Sequence, residues 1–171
     1  AVSRLPEYCG LLLSGSNISP EFAGATAFSL AKNRLLLTEN LTEEAGRAAA
    51  RSLNPDRGLA LQDASERNLK LASALRDNTI LLLSSSATPE DILKLSEVLH
   101  PSAKLMFSDD TPVRTLTSVA SSLKKGFHLH ISKSCSDVMF DILALRFPSC
   151  PLSFEPHTSP ERVETARKLR T

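Results

Sequence analysis

The hydrophobic positions of this chain fall into short apolar runs separated by longer amphipathic stretches. The runs at residues 11–13 and 81–83 are each followed by a serine, a polar loop and a Ser/Thr-Pro-Glu sequence. Apolar runs without alternation are typical of strands buried on both faces, and a hydroxyl residue followed by Pro and Glu is typical of a helix start. A strand-helix-strand block is therefore written twice, at residues 11–39 and 81–109.

Read in order, the pattern predicts strands that alternate with helices. The predicted strands lie at residues 8–13, 34–38, 59–62, 78–83, 104–107, 127–131 and 152–154. The predicted helices lie at residues 21–32, 43–53, 68–75, 90–99, 111–123 and 137–146, with another beginning at residue 159. This order predicts a three-layer, Rossmann-like α/β fold, with a mostly parallel sheet of about six or seven strands and helices on both faces. The alternation in residues 127–131 makes the last strands candidates for an antiparallel edge.

Length and charge narrow the classes of function. A chain of 171 residues predicts one domain, residues 1–171, and its ends are those expected of a fragment of a longer protein. A net charge of +1 gives no basic field for nucleic acid, and no apolar run approaches the roughly 20 residues that span a bilayer. Three widely spaced cysteines favour reduced thiols. We therefore expect a cytoplasmic protein with protein partners, without nucleic acid or membrane as partners.

The order of parts resembles the Rossmann-like fold of class I S-adenosylmethionine-dependent methyltransferases. In that family a glycine-rich loop follows the first strand, an acid that holds the ribose ends the second, and an acid beside the adenine follows the third. The resemblance implies cofactor contacts from Gly15 and Ser16, from Glu39 and from Asp63, and Ser84 lies after the fourth strand at the same predicted edge. An active methyltransferase with S-adenosylmethionine is one hypothesis.

The first loop departs from the family pattern. A cofactor cradle needs several glycines, and residues 14–21 contain one, Gly15. Ile18 and Pro20 lie where the ligand would need room, and Glu21 adds negative charge at a helix start that would otherwise attract an anion. The favoured hypothesis is therefore a non-catalytic, methyltransferase-like module that binds no cofactor and serves protein interaction or scaffolding.

Two further resemblances give alternatives. Residues 91–109 and 123–131 are similar to the amino-terminal domain of the anamorsin family, which implies a docking role in cytosolic iron-sulfur protein assembly. Residues 12–38 resemble the opening of NAD(P)-dependent short-chain reductases, which place a Tyr-x-x-x-Lys pair after their fifth strand. The single tyrosine of this chain, Tyr8, precedes the first strand, so the reductase hypothesis has no proton donor.

Several other groups have a chemical and a structural interpretation. His128 and His130 share one strand face, either as part of a metal site or as solvent-facing residues of a strand near the sheet edge. Cys135 is either a nucleophile or a partly buried structural thiol. Hydroxyls of residues 84–86 are expected to satisfy loop N–H groups and to cap the next helix. Phe140, Ile142, Leu143 and Phe147, at helical spacing, are predicted to be core, and their helix, 137–146, is also the first candidate interface. No metal site and no catalytic residue are predicted with the favoured hypothesis.

Overall fold

The computed structural model describes residues 11–28, 35–37 and 40–171. Within these ranges seven strands alternate with seven helices. The strands are β1 (Leu11–Leu13), β2 (Leu35–Leu37), β3 (Gly58–Leu61), β4 (Ile80–Leu83), β5 (Lys104–Phe107), β6 (His128–Ile131) and β7 (Leu152–Phe154). The helices are α1 (Pro20–Phe28), α2 (Glu43–Ser52), α3 (Glu66–Ser73), α4 (Pro89–Val98), α5 (Val113–Ser122), α6 (Asp137–Arg146) and α7 (Pro160–Leu169).

The predicted elements are confirmed where the structure describes them. β5, β7 and α6 have the predicted bounds, and the others differ by one to three residues at an end. The predicted start of the first strand, the end of the first helix and the flanks of the second strand lie outside the described residues. A helix follows residue 159 as expected, and it ends at Leu169.

Most helices begin at a hydroxyl residue whose side chain accepts a hydrogen bond from a backbone N–H. Thr42 accepts from the N–H of Ala45, and Ser65 accepts from the N–H of Asn68. Thr88 accepts from the N–H of Asp91, whose carboxylate accepts from the N–H of Thr88 in return. Such caps satisfy backbone donors that have no partner inside the helix. Because Thr42, Ser65 and Thr88 are 23 positions apart, the same helix start recurs with one period.

The seven strands form one sheet in the order β1-β2-β3-β4-β5-β6-β7. Every neighbouring pair is parallel, including β6 and β7, where Leu129 lies opposite Leu152. The expectation of an antiparallel edge is therefore wrong. A Rossmann-like sheet has its first strand in the middle and reverses direction there, whereas this sheet grows by one strand at a time from β1 to β7.

The helices cover one side of this sheet. Parallel strands in sequential order are joined by crossovers of one hand, which places every connecting helix on the same side. Buried residues of all seven helices belong to one hydrophobic cluster, together with alternate strand residues such as Leu81 and Leu83 of β4. The described chain therefore has two layers, and the expected third layer of helices is wrong. The α/β class and the parallel sheet with flanking helices are confirmed.

The other side of the sheet carries the remaining strand side chains. Ala60, Ile80, Leu82 and Met106 are buried there and form a second cluster, to which none of the described helices contributes a residue. On the same side of the sheet, Lys104 of β5 lies opposite His128 of β6. Polar residues of β6 and β7 continue this side beyond Lys104. This side thus changes from apolar to polar along the sheet.

One strand and one helix repeat about every 23 residues. Strands that stack in sequence, with one helix layer outside them, are the architecture of α/β solenoids such as leucine-rich repeats. In such a stack each unit contacts its two neighbours, which agrees with the contacts between consecutive helices from α1 to α7. The fold is therefore a short solenoid of seven strand-helix units.

Removal of one whole unit is expected to leave a folded protein. Deleting residues 65–87 joins the loop after β3 directly to the cap of α4, so that β5 can take the place of β4 beside β3. Circular dichroism is expected to show a helix-rich spectrum and a cooperative, lower melting temperature, because solenoid stability sums over units and their interfaces.

A half-unit deletion is the matched control. Deleting residues 65–75 removes α3 but keeps β4, and it leaves too short a connection between two parallel strands, which need about a dozen residues or more. This variant is expected to unfold. If the whole-unit deletion unfolds to the same extent, the sequential repeat interpretation is contradicted.

Candidate functional site

The loops that follow the strands lie along one edge of the sheet, where ligands bind in many parallel α/β proteins. Gly15 has a φ of 122°, which favours glycine. A Cβ on Gly15 would lie 3.9 Å from two side-chain atoms of Ile18, and Ile18 is packed against the main core cluster. The Ile18 side chain therefore lies beside Gly15 and packs toward the core, and its blocking of a ligand stays a prediction. Ser16 is exposed.

Of the two predicted acids, Glu39 and Asp63, the structure describes Asp63. Glu39 lies outside the described residues. The Asp63 carboxylate Oδ1 accepts hydrogen bonds from the Ser65 N–H at 3.1 Å and from the Asn68 amide at 2.9 Å. Asp63 therefore orders the start of α3, which is a structural role that a turn-forming aspartate commonly has.

The serines after β4 make local hydrogen bonds. The Ser84 Oγ lies 2.9 Å from the Ser86 Oγ and accepts from the Ser86 N–H at 3.2 Å. The expectation that these hydroxyls satisfy loop N–H groups is confirmed, but the cap of α4 is Thr88. Burial alone would raise the pKa of Asp91, yet hydrogen bonds from Thr88 and Ala64 lower it, so this acid holds the cap as a carboxylate.

The four described candidates for cofactor contact lie along the edge in chain order. Gly15 and Ser16 follow β1, Asp63 follows β3 and Ser84 follows β4. With neighbouring strands about 4.8 Å apart, β1 and β4 are roughly 14 Å apart. A sequential sheet has no reversal point at which adjacent loops open a crevice. These residues are therefore spread over successive units, and their role as cofactor ligands stays a prediction.

A small cavity of about 360 Å³ does lie at this edge, between the starts of α4 and α5. Its lining combines loop hydroxyls with one cation, Arg114. The α4 end of this cavity is already capped by Thr88 and by the Asp91 carboxylate. Fewer backbone N–H groups are therefore free to bind an anion in this cavity than at an uncapped helix start.

The two histidines lie on the side of the sheet opposite the helices. His130 is buried, and its Nδ1 lies 2.7 Å from the Ser153 Oγ of β7. The Nε2 of His128 is buried without a hydrogen-bond partner, and burial, followed by the nearby Lys104 charge, lowers the His128 pKa. The expectation of solvent-facing histidines is wrong, because β6 lies between β5 and β7 and does not form the edge. No group of three or more metal-ligating side chains occurs among the described residues.

Cys135 is a buried thiol at the loop before α6. Burial raises its pKa, although Arg162 lowers it in part by donating to the Sγ at 3.5 Å. A nucleophile needs a low thiol pKa and access, so the geometry favours the structural interpretation. Arg162 also donates to the Cys135 carbonyl and to the Asp137 carboxylate, and it lies over the Phe140 ring, so it ties α7 to the start of α6.

The candidate interface helix α6 is mostly core. Phe140 and Leu143 are buried, as is Phe147 just beyond its end, which confirms the core prediction for these three residues, and Ile142 is partly buried against the core. The exposed apolar residues of this helix are Val138 and Leu145. Those two positions, and not the residues chosen from the sequence, are what α6 offers to a partner.

A larger cavity, of about 800 Å³, lies at the opposite edge of the sheet and was missed by sequence reasoning. We call it the basal cavity. It is lined by residues at the ends of α1 to α4: Phe28, Arg51, Ser52, Leu53, Asn54, Pro55, Arg76, Asp77 and His100. The available signal was an arginine in the last turn of α2 and another just beyond α3, which ordinary complementarity to the helix dipole also explains.

No family model, curated protein or solved structure matches this chain. The described helices include none long and apolar enough to cross a bilayer. The functional interpretation therefore rests on the geometry of the described residues.

Proposed function

We propose that this chain is a non-catalytic repeat module that binds protein partners. The observation that carries the proposal is the single stack of seven strand-helix units. Solenoids of this kind offer long surfaces to which each unit contributes a few side chains, and binding is their usual task. A fold does not fix a function, so the argument also depends on what the loops do.

The loop chemistry favours binding over catalysis. Side chains at the strand ends are used in turns and caps, as shown by Asp63 with Asn68 and by Ser84 with Ser86. Both described cysteines, Cys135 and Cys150, are buried, and burial raises the pKa of each thiol. An activated nucleophile would need the opposite shift. Free thiols also support a cytosolic location as part of this proposal.

Apolar side chains on the helix layer support a protein partner. Phe22, Phe28, Val138 and Leu145 are each about half exposed or more, and they belong to units at both ends of the stack. These four residues do not form one patch, and single exposed apolar residues are common on protein surfaces. They are anchors of the type that a partner extended along several units would use.

Isothermal titration calorimetry with S-adenosylmethionine, and separately with NADPH, tests the proposal. No heat of binding is expected for either compound, because Ile18 lies beside the single glycine of the loop, Gly15, and the predicted ligands are spread along the edge. An active methyltransferase, the second hypothesis, requires saturable binding of S-adenosylmethionine. A micromolar dissociation constant for either cofactor would contradict the non-catalytic module.

A further inference from the structure

Hydrogen bonds join the turns that carry residues of the basal cavity. The Asp56 N–H donates to the Asn78 carbonyl at 2.8 Å, and the Asn78 N–H donates to the Ser102 carbonyl at 2.9 Å. In the cavity itself, the Asn54 side-chain amide donates to the Phe28 carbonyl at 2.7 Å, at the end of α1. Turns that are already hydrogen-bonded need little further ordering on binding.

The wall of the basal cavity carries two cations without partners. Arg51 in the last turn of α2 and Arg76 beyond α3 are exposed, and neither guanidinium has an ion pair or side-chain hydrogen bond with a described residue. The Asp77 carboxylate also lines the cavity. Among the lining side chains, two guanidiniums therefore stand against one carboxylate.

His100 also lines the cavity. Its Nδ1 accepts a hydrogen bond from the Ser102 N–H at 3.0 Å and also lies 3.5 Å from the Asp77 Oδ1. The permanent positive charges that line the cavity are those of Arg51 and Arg76.

The cavity also has an apolar part. Phe28 is 63% exposed at the end of α1, and Leu53 and Pro55 line the same space. An exposed aromatic ring beside unpaired guanidiniums suits a ligand with both apolar and acidic groups. Nucleic acid is less suitable, because its binding requires neutralisation of many phosphates and this site holds two arginines.

We propose that the basal cavity binds an acidic peptide segment of a protein partner. Carboxylates of the segment pair with Arg51 and Arg76, and an apolar side chain rests on Phe28. The carbonyl ends of α2 and α3 carry partial negative charge, which opposes an acidic ligand, so the attraction depends on the full charges of the two guanidiniums. This inference rests on the proposed function and names its partner class.

Selection from a random peptide library displayed on phage, against the whole chain, tests the proposal. The selected peptides are expected to be rich in Asp and Glu with at least one aromatic or large aliphatic residue. Fluorescence polarisation of the strongest selected peptide then compares Arg51→Glu and Arg76→Glu with the unchanged chain. Each reversal is expected to weaken binding by about tenfold or more, because hydrogen bonds between charged groups are the strong class.

Arg47→Glu is the matched control. Arg47 lies one turn earlier on the same helix, is exposed and does not line the cavity. It is expected to change the affinity by less than about twofold, since an exposed charge outside the contact acts weakly. Circular dichroism of all three variants verifies that they keep the fold of the unchanged chain.

The proposal would be overturned if no peptide is enriched, if the Arg47→Glu loss equals the Arg51→Glu loss, or if short single-stranded DNA binds in place of acidic peptides. Enriched peptides that are insensitive to both cavity reversals would also overturn this site, while the protein-binding function would stand. Binding of S-adenosylmethionine in calorimetry would instead overturn the proposed function, with the peptide result at the cavity unaffected. The two failures are thus distinguishable.

Discussion

Replacement of Phe147 by alanine is expected to lower the free energy of unfolding by about 3 to 5 kcal/mol. Phe147 is fully buried directly after α6, and its ring centroid lies 6.0 Å from that of Phe107 and 6.1 Å from that of Phe127. These rings come from the end of β5 and from the residue before β6, so the truncation leaves a cavity between neighbouring units. Urea unfolding followed by circular dichroism measures the loss.

Phe22→Ala is the control for this prediction. Phe22 is 59% exposed on α1, and its removal is expected to change the free energy of unfolding by about 0.5 kcal/mol or less. If Phe147→Ala fails to fold, Phe147→Leu keeps much of the volume and is expected to cost less than the alanine variant. Equal midpoints for the Phe147 and Phe22 variants would contradict the packing of three rings described above.

The sequence predicts the local elements of this fold well. β5 and α6 have the predicted bounds because both lie between clear signals, such as the Pro101 turn before β5 and the Ser136 cap before α6. A short apolar run and a hydroxyl cap act over a few residues, so they do not depend on which strand lies next to which. Local prediction therefore succeeded without a correct topology.

The strand order was not predicted because strand-helix alternation is common to doubly wound sheets and to solenoids. The difference lies in the period. Caps recur at Thr42, Ser65 and Thr88 with one spacing, and a Rossmann-like sheet has no reason to keep its helices at equal spacing. The two similar strand-helix-strand blocks begin 70 positions apart, so their similarity alone does not reveal the shorter period between them.

The candidate site was predicted only in part for the same reason. Loops such as those of Gly15 and Ser84 were expected to converge, and in a sequential sheet they lie side by side. The basal cavity depends on residues at the ends of four different helices, among them Arg51 and Arg76, which come together only when the units stack. Stacking of units is a property of the topology, so residue spacing read within a single unit could not reveal it.

Replacement of Gly126 by alanine is expected to lower the free energy of unfolding by about 2 kcal/mol or more. Gly126 lies in the turn before β6, and a Cβ there would be 2.4 Å from the Ser149 carbonyl oxygen and 3.1 Å from the carbonyl carbon. Its φ is not in the left-handed region, so the cost is a clash with the backbone of the next unit. The tight stacking of turns requires glycine at this position.

Gly24→Ala separates this clash from a general effect of the substitution. A Cβ on Gly24 meets the flexible Ser52 Oγ at 3.0 Å, and alanine gains about 1 kcal/mol of helix propensity inside α1. Rotation of the Ser52 hydroxyl relieves the contact, so chemical unfolding is expected to find Gly24→Ala as stable as the unchanged chain or slightly more stable. If Gly126→Ala is equally well tolerated, that result would contradict the close contact between Gly126, in the turn after α5, and Ser149, in the turn after α6.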